Sequence, residues 1–237
     1  MNIVIPIGGL GTRFPKKTYH LPKPLIDING KTMIQRALES LNLDGKYFFI
    51  IRNDEFNESI KNEISKVVSG AIFIEIEKTT EGPASSVLLF KKYINTKEEL
   101  VTANCDQIME WNSSLFLHNV RLYDGAVVTY HSDTEKNSYV KLDRNGKPIK
   151  FAEKEVISNI SLNGIHYWKK GVDFINSAEQ MIDANDRAEN GEFYISISYN
   201  YMIKANKKIG IYHIPNESHH AVGVPLELER FIKYDQI

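Results

Sequence analysis

The sequence predicts an α/β fold: a mixed, mostly parallel sheet flanked by helices, with a small antiparallel lobe in the C-terminal half. Three observations predict it. Residues 2–7 form a nearly unbroken apolar run, the pattern of a strand buried on both faces of a parallel sheet. Strand-like and helix-like segments then alternate through residue 124, an order that implies right-handed crossovers. Beyond that point the rhythm changes to paired strands around Asn145-Gly146, a strong hairpin signal.

The elements follow in order. Pro6 stands near the end of the first strand, where a missing N–H costs least. A long Gly- and Pro-rich loop leads to Thr32-Met33-Ile34-Gln35, a capping box. Met33, Ile34, Ala37, Leu38 and Leu41 then recur at helical spacing and should cover one sheet face. Strands are expected at Tyr47–Ile51, Ala71–Ile76 and Leu100–Asn104, with helices at about Phe56–Val68 and Pro83–Tyr93 between them. The second half predicts strands at Ala126–Tyr130, Tyr139–Leu142, Pro148–Phe151, Gly164–Trp168 and Ile209–Ile214. Helices are expected at Val172–Ala184 and from Pro225. No internal repeat or linker marks a second independent domain, so residues 1–237 read as one domain, whose rhythm differs between 1–124 and 125–237.

Composition excludes several classes. Lys and Arg number 29 against 30 Asp and Glu, a formal charge of -1, so there is no basic field for a nucleic-acid polymer. Cys105 is the single cysteine, which rules out an intramolecular disulfide framework and suits a reducing compartment; the cytoplasm is the expected location. No basic, signal-like segment precedes the first strand, and no apolar run approaches the roughly 20 residues that span a bilayer. Neither secretion nor a membrane partner is expected. The composition leaves homo-oligomerisation open.

Gly8-Gly9-Leu10-Gly11-Thr12-Arg13 follows the first strand directly, and glycines there let backbone N–H groups converge on an anion. The loop does not fit a dinucleotide fingerprint, because Phe14 stands where the third glycine belongs and Pro15 breaks the expected helix. It is not a Walker A loop either: Gly30-Lys31-Thr32 has Leu25, not Gly, five positions earlier. Arg13 and then Pro22-Lys23-Pro24 add two cations. Leu100-Val101-Thr102-Ala103-Asn104-Cys105-Asp106 reads as a strand ending in a carboxylate, at the sheet edge where open α/β folds bind ligands.

The sequence G-G-x-G-T-R followed by P-K-P resembles the sugar-phosphate nucleotidylyltransferases, the pyrophosphorylases that make nucleotide sugars, and their Rossmann-like fold. The resemblance implies that Gly8, Gly9, Gly11, Thr12 and Arg13 embrace the β- and γ-phosphates of a nucleoside triphosphate. It implies that Lys23 touches the phosphates at the reacting centre and that Asp106 binds Mg²⁺. Arg13, Lys23 and Asp106 are then the catalytic set, with Cys105 in a slot usually held by Gly. Thr80-Glu81-Gly82-Pro83-Ala84 is similar to the family's base-holding segment, implying nucleotide contacts from Glu81, Gly82 and Ala84; a helix N-terminus explains the same residues. Glu153-Lys154 resembles the acceptor-phosphate element, with Glu155 in place of Pro, and Asn163-Gly164-Ile165-His166 the acceptor-side strand. Lys154 and Gly164 are therefore expected at the acceptor, although Gly164 also suits a bulge. Near the C-terminus, Ala221-Val222-Gly223-Val224-Pro225 aligns with an element that often carries a second metal-binding aspartate, and Ala221 replaces it. His219 and His220 are neighbours, and adjacent residues on a strand point to opposite faces, which argues against a joint metal site there. The resemblance implies a nucleotide-binding half (1–124) and an acceptor-binding half (125–237).

The reaction implied joins a nucleoside triphosphate to a small phosphorylated acceptor, in the family's majority a sugar 1-phosphate, with loss of pyrophosphate. Capsule-type cytidylyltransferases acting on phosphocholine or phosphoglutamine share the loop and the size. A glycosyltransferase would want a D-x-D motif, of which Asn104-Cys105-Asp106 supplies half. A silent regulatory homologue would explain Ala221 but not the retention of Arg13, Lys23 and Asp106.

Overall fold

The computed structural model describes residues 1–236. In chain order the elements are β1 (Asn2–Pro6), β2 (Asp27–Ile28), β3 (Lys31–Thr32), α1 (Met33–Leu41), β4 (Lys46–Arg52), α2 (Asn57–Ser65), β5 (Ile72–Ile76), α3 (Pro83–Leu88), α4 (Lys91–Ile94), β6 (Leu100–Thr102), β7 (Gln107–Met109), α5 (Ser113–Val120), β8 (Gly125–His131), β9 (Ser138–Leu142), β10 (Pro148–Glu153), β11 (Ile160–Trp168), α6 (Gly171–Asp183), α7 (Ile195–Lys204), β12 (Ile209–His213), β13 (His219–Ala221) and α8 (Pro225–Tyr234). This is the mixed α/β sheet with flanking helices that the sequence predicts.

The chain forms two compact units that interleave along the sequence. The first holds Met1–Val4, Thr80–Ala103 and Ser114–Asn216. Its strands run in the order β10-β9-β11-β6-β1, with β8 beside β11 and β12 beside β8. β1 and β6 are parallel, Ile3 opposite Val101, whereas β11 lies antiparallel to both β6 and β8. Its core is aromatic: Trp168 and Tyr199 stack at 5.1 Å, and Phe151 and Phe174 pack against them at 5.1 and 4.9 Å. His166 lies in this stack, and burial pushes its pKa down to about 3, so it is a neutral core residue.

The second unit holds Ile5–Thr79, Asn104–Ser113 and the chain from Glu217 onward. β4 and β5 pair in parallel, and the ribbon β7-β13 pairs antiparallel, Gln107 opposite Ala221. The predicted capping box starts α1: Gln35 accepts the Thr32 N–H at 2.9 Å. Asn42 ends the helix in the left-handed conformation at φ 46°, which Asn tolerates better than most residues. Met33 joins Phe14, Ile26, Ile28, Ile108, Val222, Leu228 and Phe231 in one buried cluster, so the glycine loop, the ribbon and α8 share a core. Each such side chain contributes about 1.5–3 kcal/mol when fully buried.

The helix predicted at Pro83–Tyr93 is two short helices, α3 and α4, separated at Leu89 and Phe90. Six further elements escape the sequence pattern: β2, β3, β7, β13, α5 and α7.

Candidate active site

In the second unit, the glycine loop follows Ile5 and Pro6, the last residues of β1, and each glycine meets a different demand. Gly8 is buried, and a Cβ there would lie 2.6 Å from Ile76 Cδ1. Gly9 faces open space. Gly11 has φ +61°, the left-handed region, and closes a turn in which Phe14 donates its N–H to the Gly11 carbonyl at 3.0 Å. Phe14 is buried and pins the loop to the core, while Thr12 and Arg13 stay exposed. Gly9, Leu10, Gly11, Thr12, Arg13 and Lys23 line a cleft of about 290 Å³.

Three predicted residues come together here. The Lys23 ammonium donates to Asp106 Oδ2, and the Arg13 guanidinium lies 3.8 Å from the same oxygen. Lys23 and Asp106 are largely buried, with side chains 13% and 15% exposed, whereas Arg13 is 64% exposed. Burial alone would raise the Asp106 pKa. The charge and hydrogen bond of Lys23, assisted by Arg13, outweigh burial and hold it below its ordinary 3.8. Asp106 is anchored through its backbone too, its carbonyl accepting the Val222 N–H at 2.9 Å. Gly223 makes room for the carboxylate: a Cβ there would sit 2.6 Å from Oδ2. Cys105 is buried, and burial pushes its thiol up to about 11, as suits a packing residue rather than a nucleophile.

Among the described residues, no three His, Cys, Asp or Glu side chains cluster closely enough to hold a metal ion among themselves. Ala221, opposite Gln107 in the β7-β13 ribbon, supplies no carboxylate. Asp106 is then the residue that could hold Mg²⁺. A hard carboxylate oxygen beside the glycine loop fits that ion, which takes one or two protein carboxylates and completes its shell with phosphate and water. His220 is engaged elsewhere: its Nε2 is 2.9 Å from Glu110 Oε1, and its ring packs between Phe231 and Tyr234. Burial, with His220 adding to it, lowers His219 to about 4, so His219 is neutral at pH 7.

The remaining predicted residues belong to the first unit. Gly82 begins α3 with φ +133°, and a Cβ there would lie 2.6 Å from both N and O of Phe193. The close backbone approach that this glycine permits is therefore to the chain itself. Ala84 is fully buried and donates its N–H to the Phe193 carbonyl at 3.0 Å. Glu81 is exposed and ion-paired with Arg187. Lys154 has φ +57° and donates to Tyr194 Oη at 2.8 Å. Beside it, Glu153 is half-buried and accepts hydrogen bonds from Ser138 and Ser196; desolvation outweighs these and raises its pKa. Gly164 has φ +95° and sits in the irregularity between Leu162 and His166 where β11 loses register with β8, so it marks a bulge.

The sequence reading passes over Arg52 and Asp54, which line the same cleft as the glycine loop. Arg52 is the last residue of β4. The rule that ligands sit at the carboxyl ends of parallel strands would have singled it out.

The Nucleotidyl transferase family model matches residues 2–204. The chain is 26% identical over 218 residues to "Bifunctional protein GlmU" of Methanococcus vannielii, covering 89% of this chain and 50% of that one. It is 28% identical over 179 residues to the mannose-1-phosphate guanylyltransferase catalytic subunit beta of Drosophila pseudoobscura pseudoobscura, covering 71% and 48%. It thus spans about half the length of the curated relatives it matches. In structure it resembles a nucleoside-diphosphate-sugar pyrophosphorylase from Vibrio cholerae RC9, with a TM-score of 0.86 at 23% identity and coverage of 98% and 99% of the two chains, a likeness of fold. The chain belongs to the Nucleotidyl transferase family.

Proposed function

We propose that the chain transfers a nucleotidyl group from a nucleoside triphosphate to a sugar 1-phosphate and releases pyrophosphate. The observation that carries this reading is the convergence of Lys23 and Arg13 on Asp106 beside a glycine loop with a left-handed turn at Gly11. Two cations against one carboxylate leave a net charge of +1 at the cleft, and the loop adds backbone N–H donors suited to phosphate. The sugar phosphates named in relatives such as the guanylyltransferase subunit support the acceptor class.

An acceptor phosphate oxygen attacks the α-phosphorus, a new P–O bond forms, and the bond from the α-phosphorus to the bridging oxygen of the β-phosphate breaks. Pyrophosphate leaves with that oxygen. The nucleophile is already ionised at neutral pH, so the reaction needs no general base. The work of the protein is alignment and neutralisation of accumulating negative charge. Gly8, Gly9, Gly11, Thr12 and Arg13 hold the β- and γ-phosphates, and Lys23 neutralises charge at the reacting centre. Asp106 would hold Mg²⁺, which when bound supplies further charge neutralisation. For the first unit taken by itself, the resemblance supports Lys154 as the contact for an acceptor phosphate, Gly164 as a residue bordering the acceptor, and Glu81, Gly82 and Ala84 as the nucleotide-contacting segment.

A matrix of the four common nucleoside triphosphates against hexose 1-phosphates, choline phosphate and phosphoglutamine, read by pyrophosphate release, tests the proposal. Release with a sugar 1-phosphate is expected. Release only with phosphoglutamine or choline phosphate would move the chain to a capsule-type cytidylyltransferase role, and no release from any pair would refute nucleotidyl transfer.

A further inference from the structure

The first unit brings two imidazoles together at the ends of neighbouring strands. β8 and β12 run parallel, and His213, the last residue of β12, lies opposite Thr129 of β8. Residues two apart on a strand share a face, so His131, the last residue of β8, stands on the face of Thr129 and beside His213. The two rings are exposed, with centroids 4.4 Å apart and planes at 60°. The backbone beneath them is fixed. Asn216 accepts the His131 N–H on Oδ1 at 3.0 Å and donates from Nδ2 to the His131 carbonyl at 2.9 Å, and Ile214 donates its N–H to the Thr129 carbonyl at 2.8 Å.

Each ring turns one nitrogen toward the protein and keeps the other for solvent. Nδ1 of His131 faces the Asn159 carbonyl at 3.4 Å; a carbonyl only accepts, so Nδ1 carries the proton and Nε2 the lone pair. Nδ1 of His213 lies 3.2 Å from Thr129 Oγ1, a hydroxyl able to accept in the same way. Neither Nε2 has a hydrogen-bond partner among the described residues. Burial, and then the neighbouring His131, lower the His213 pKa from its ordinary 6.5 and leave it neutral at pH 7, the form that binds a metal. An Nδ1–H on a protein oxygen with a bare Nε2 is the arrangement of metal-ligating histidines. The spacing agrees: two imidazoles bound side by side through Nε2 at about 2.0 Å, at a metal-centred angle of about 90–110°, have centroids roughly 4.5–5 Å apart. We propose that His131 and His213 bind one divalent transition ion of the imidazole-preferring group, Ni²⁺, Cu²⁺ or Zn²⁺, through their Nε2 atoms, with water completing its shell. This site is separate from Asp106, whose single oxygen ligand suits the hard Mg²⁺. Its ion bridges the ends of β8 and β12.

Calorimetric titration of the untagged chain with Ni²⁺ at pH 7, in excess Mg²⁺ to occupy Asp106, tests the proposal, with thermal melts in EDTA to verify folding of each variant. Wild type should bind one Ni²⁺, and its thermal midpoint should rise with Ni²⁺ concentration as the ion binds the folded chain. His131→Gln and His213→Gln keep polar side chains without the imidazole lone pair; each should weaken binding about 10-fold or more and lose the rise in midpoint. His220→Gln, in the β7-β13 ribbon, should bind Ni²⁺ as wild type does. No saturable binding to wild type, or undiminished binding in either His131→Gln or His213→Gln, would overturn the proposal. So would a loss in His220→Gln as large as theirs, which would place the ion at the ribbon.

Discussion

Lys23 and Asp106, 83 positions apart in the chain, form an ion pair whose carboxylate oxygen also lies 3.8 Å from Arg13. The pair ties the P-K-P segment to the end of the strand-loop that carries Asp106, so the cleft beside the glycine loop is held together by the residues proposed to do its chemistry. Both partners are largely buried, and removing one leaves the other without its counter-charge.

Lys23→Met should therefore destabilise the protein at neutral pH by about 1–3 kcal/mol, between the values for exposed and fully buried pairs. The sign with pH follows from Asp106. Its pKa is depressed in the folded protein, so its contribution is present above 3.8 and is lost as pH falls through the folded value. Urea unfolding at a series of pH values should show the gap between wild type and Lys23→Met narrowing below pH 3.8. A gap constant across that range would mean that the pair does not set the Asp106 charge.

Arg13 is mostly exposed and its removal uncovers no buried charge. Arg13→Ala should melt like wild type and lose turnover by about 10²-fold or more, the scale set by loss of one donor to developing charge. Asp106→Asn should lose Mg²⁺-dependent turnover. Full activity in either variant, measured as pyrophosphate release, would remove that residue from the site.

Gly82 carries a structural demand independent of any ligand. An alanine there meets two Phe193 backbone atoms at 2.6 Å in a conformation, φ +133°, that L side chains rarely adopt. Gly82→Ala should lower stability by about 1–3 kcal/mol or more, read by thermal or urea unfolding. A neutral effect would show that the turn relaxes freely.

The Cys105 thiol, pushed up to about 11 by burial, should resist iodoacetamide at pH 8 in the native protein and react fully in denaturant. Mass spectrometry distinguishes the two, and rapid native labelling would contradict a packing role.

The strands that carry the fold were legible because burial writes itself into composition: Ile3, Val4 and Ile5 in β1 and Phe48 to Ile51 in β4 are all nearly inaccessible. Helix α1 was legible from its cap and its apolar spacing. Helix α7 was not, since Ile195-Ser196-Ile197-Ser198-Tyr199 alternates as a strand would. The helix is buried on nearly every side, which erases an amphipathic period, and the Ser198 hydroxyl is satisfied within it by donating to the Ile195 carbonyl at 2.7 Å. Strands β7 and β13 have three residues each, too few for any period to emerge.

At the site, the glycine loop, Lys23 and Asp106 stood out because phosphate chemistry restricts residue type and spacing. Arg52 carried no motif; its place at the end of β4 beside the cleft is a product of tertiary structure. Gly82 and Ala84 illustrate the converse, for the same small residues that suit a ligand also serve the close packing against Phe193.

The most direct test of nucleotidyl transfer follows the γ-phosphate label of the triphosphate during turnover with a sugar 1-phosphate. Attack at the α-phosphorus predicts that the label leaves as pyrophosphate in step with formation of a nucleoside-diphosphate product. Label released as inorganic phosphate, or a triphosphate left intact while product forms, would contradict it.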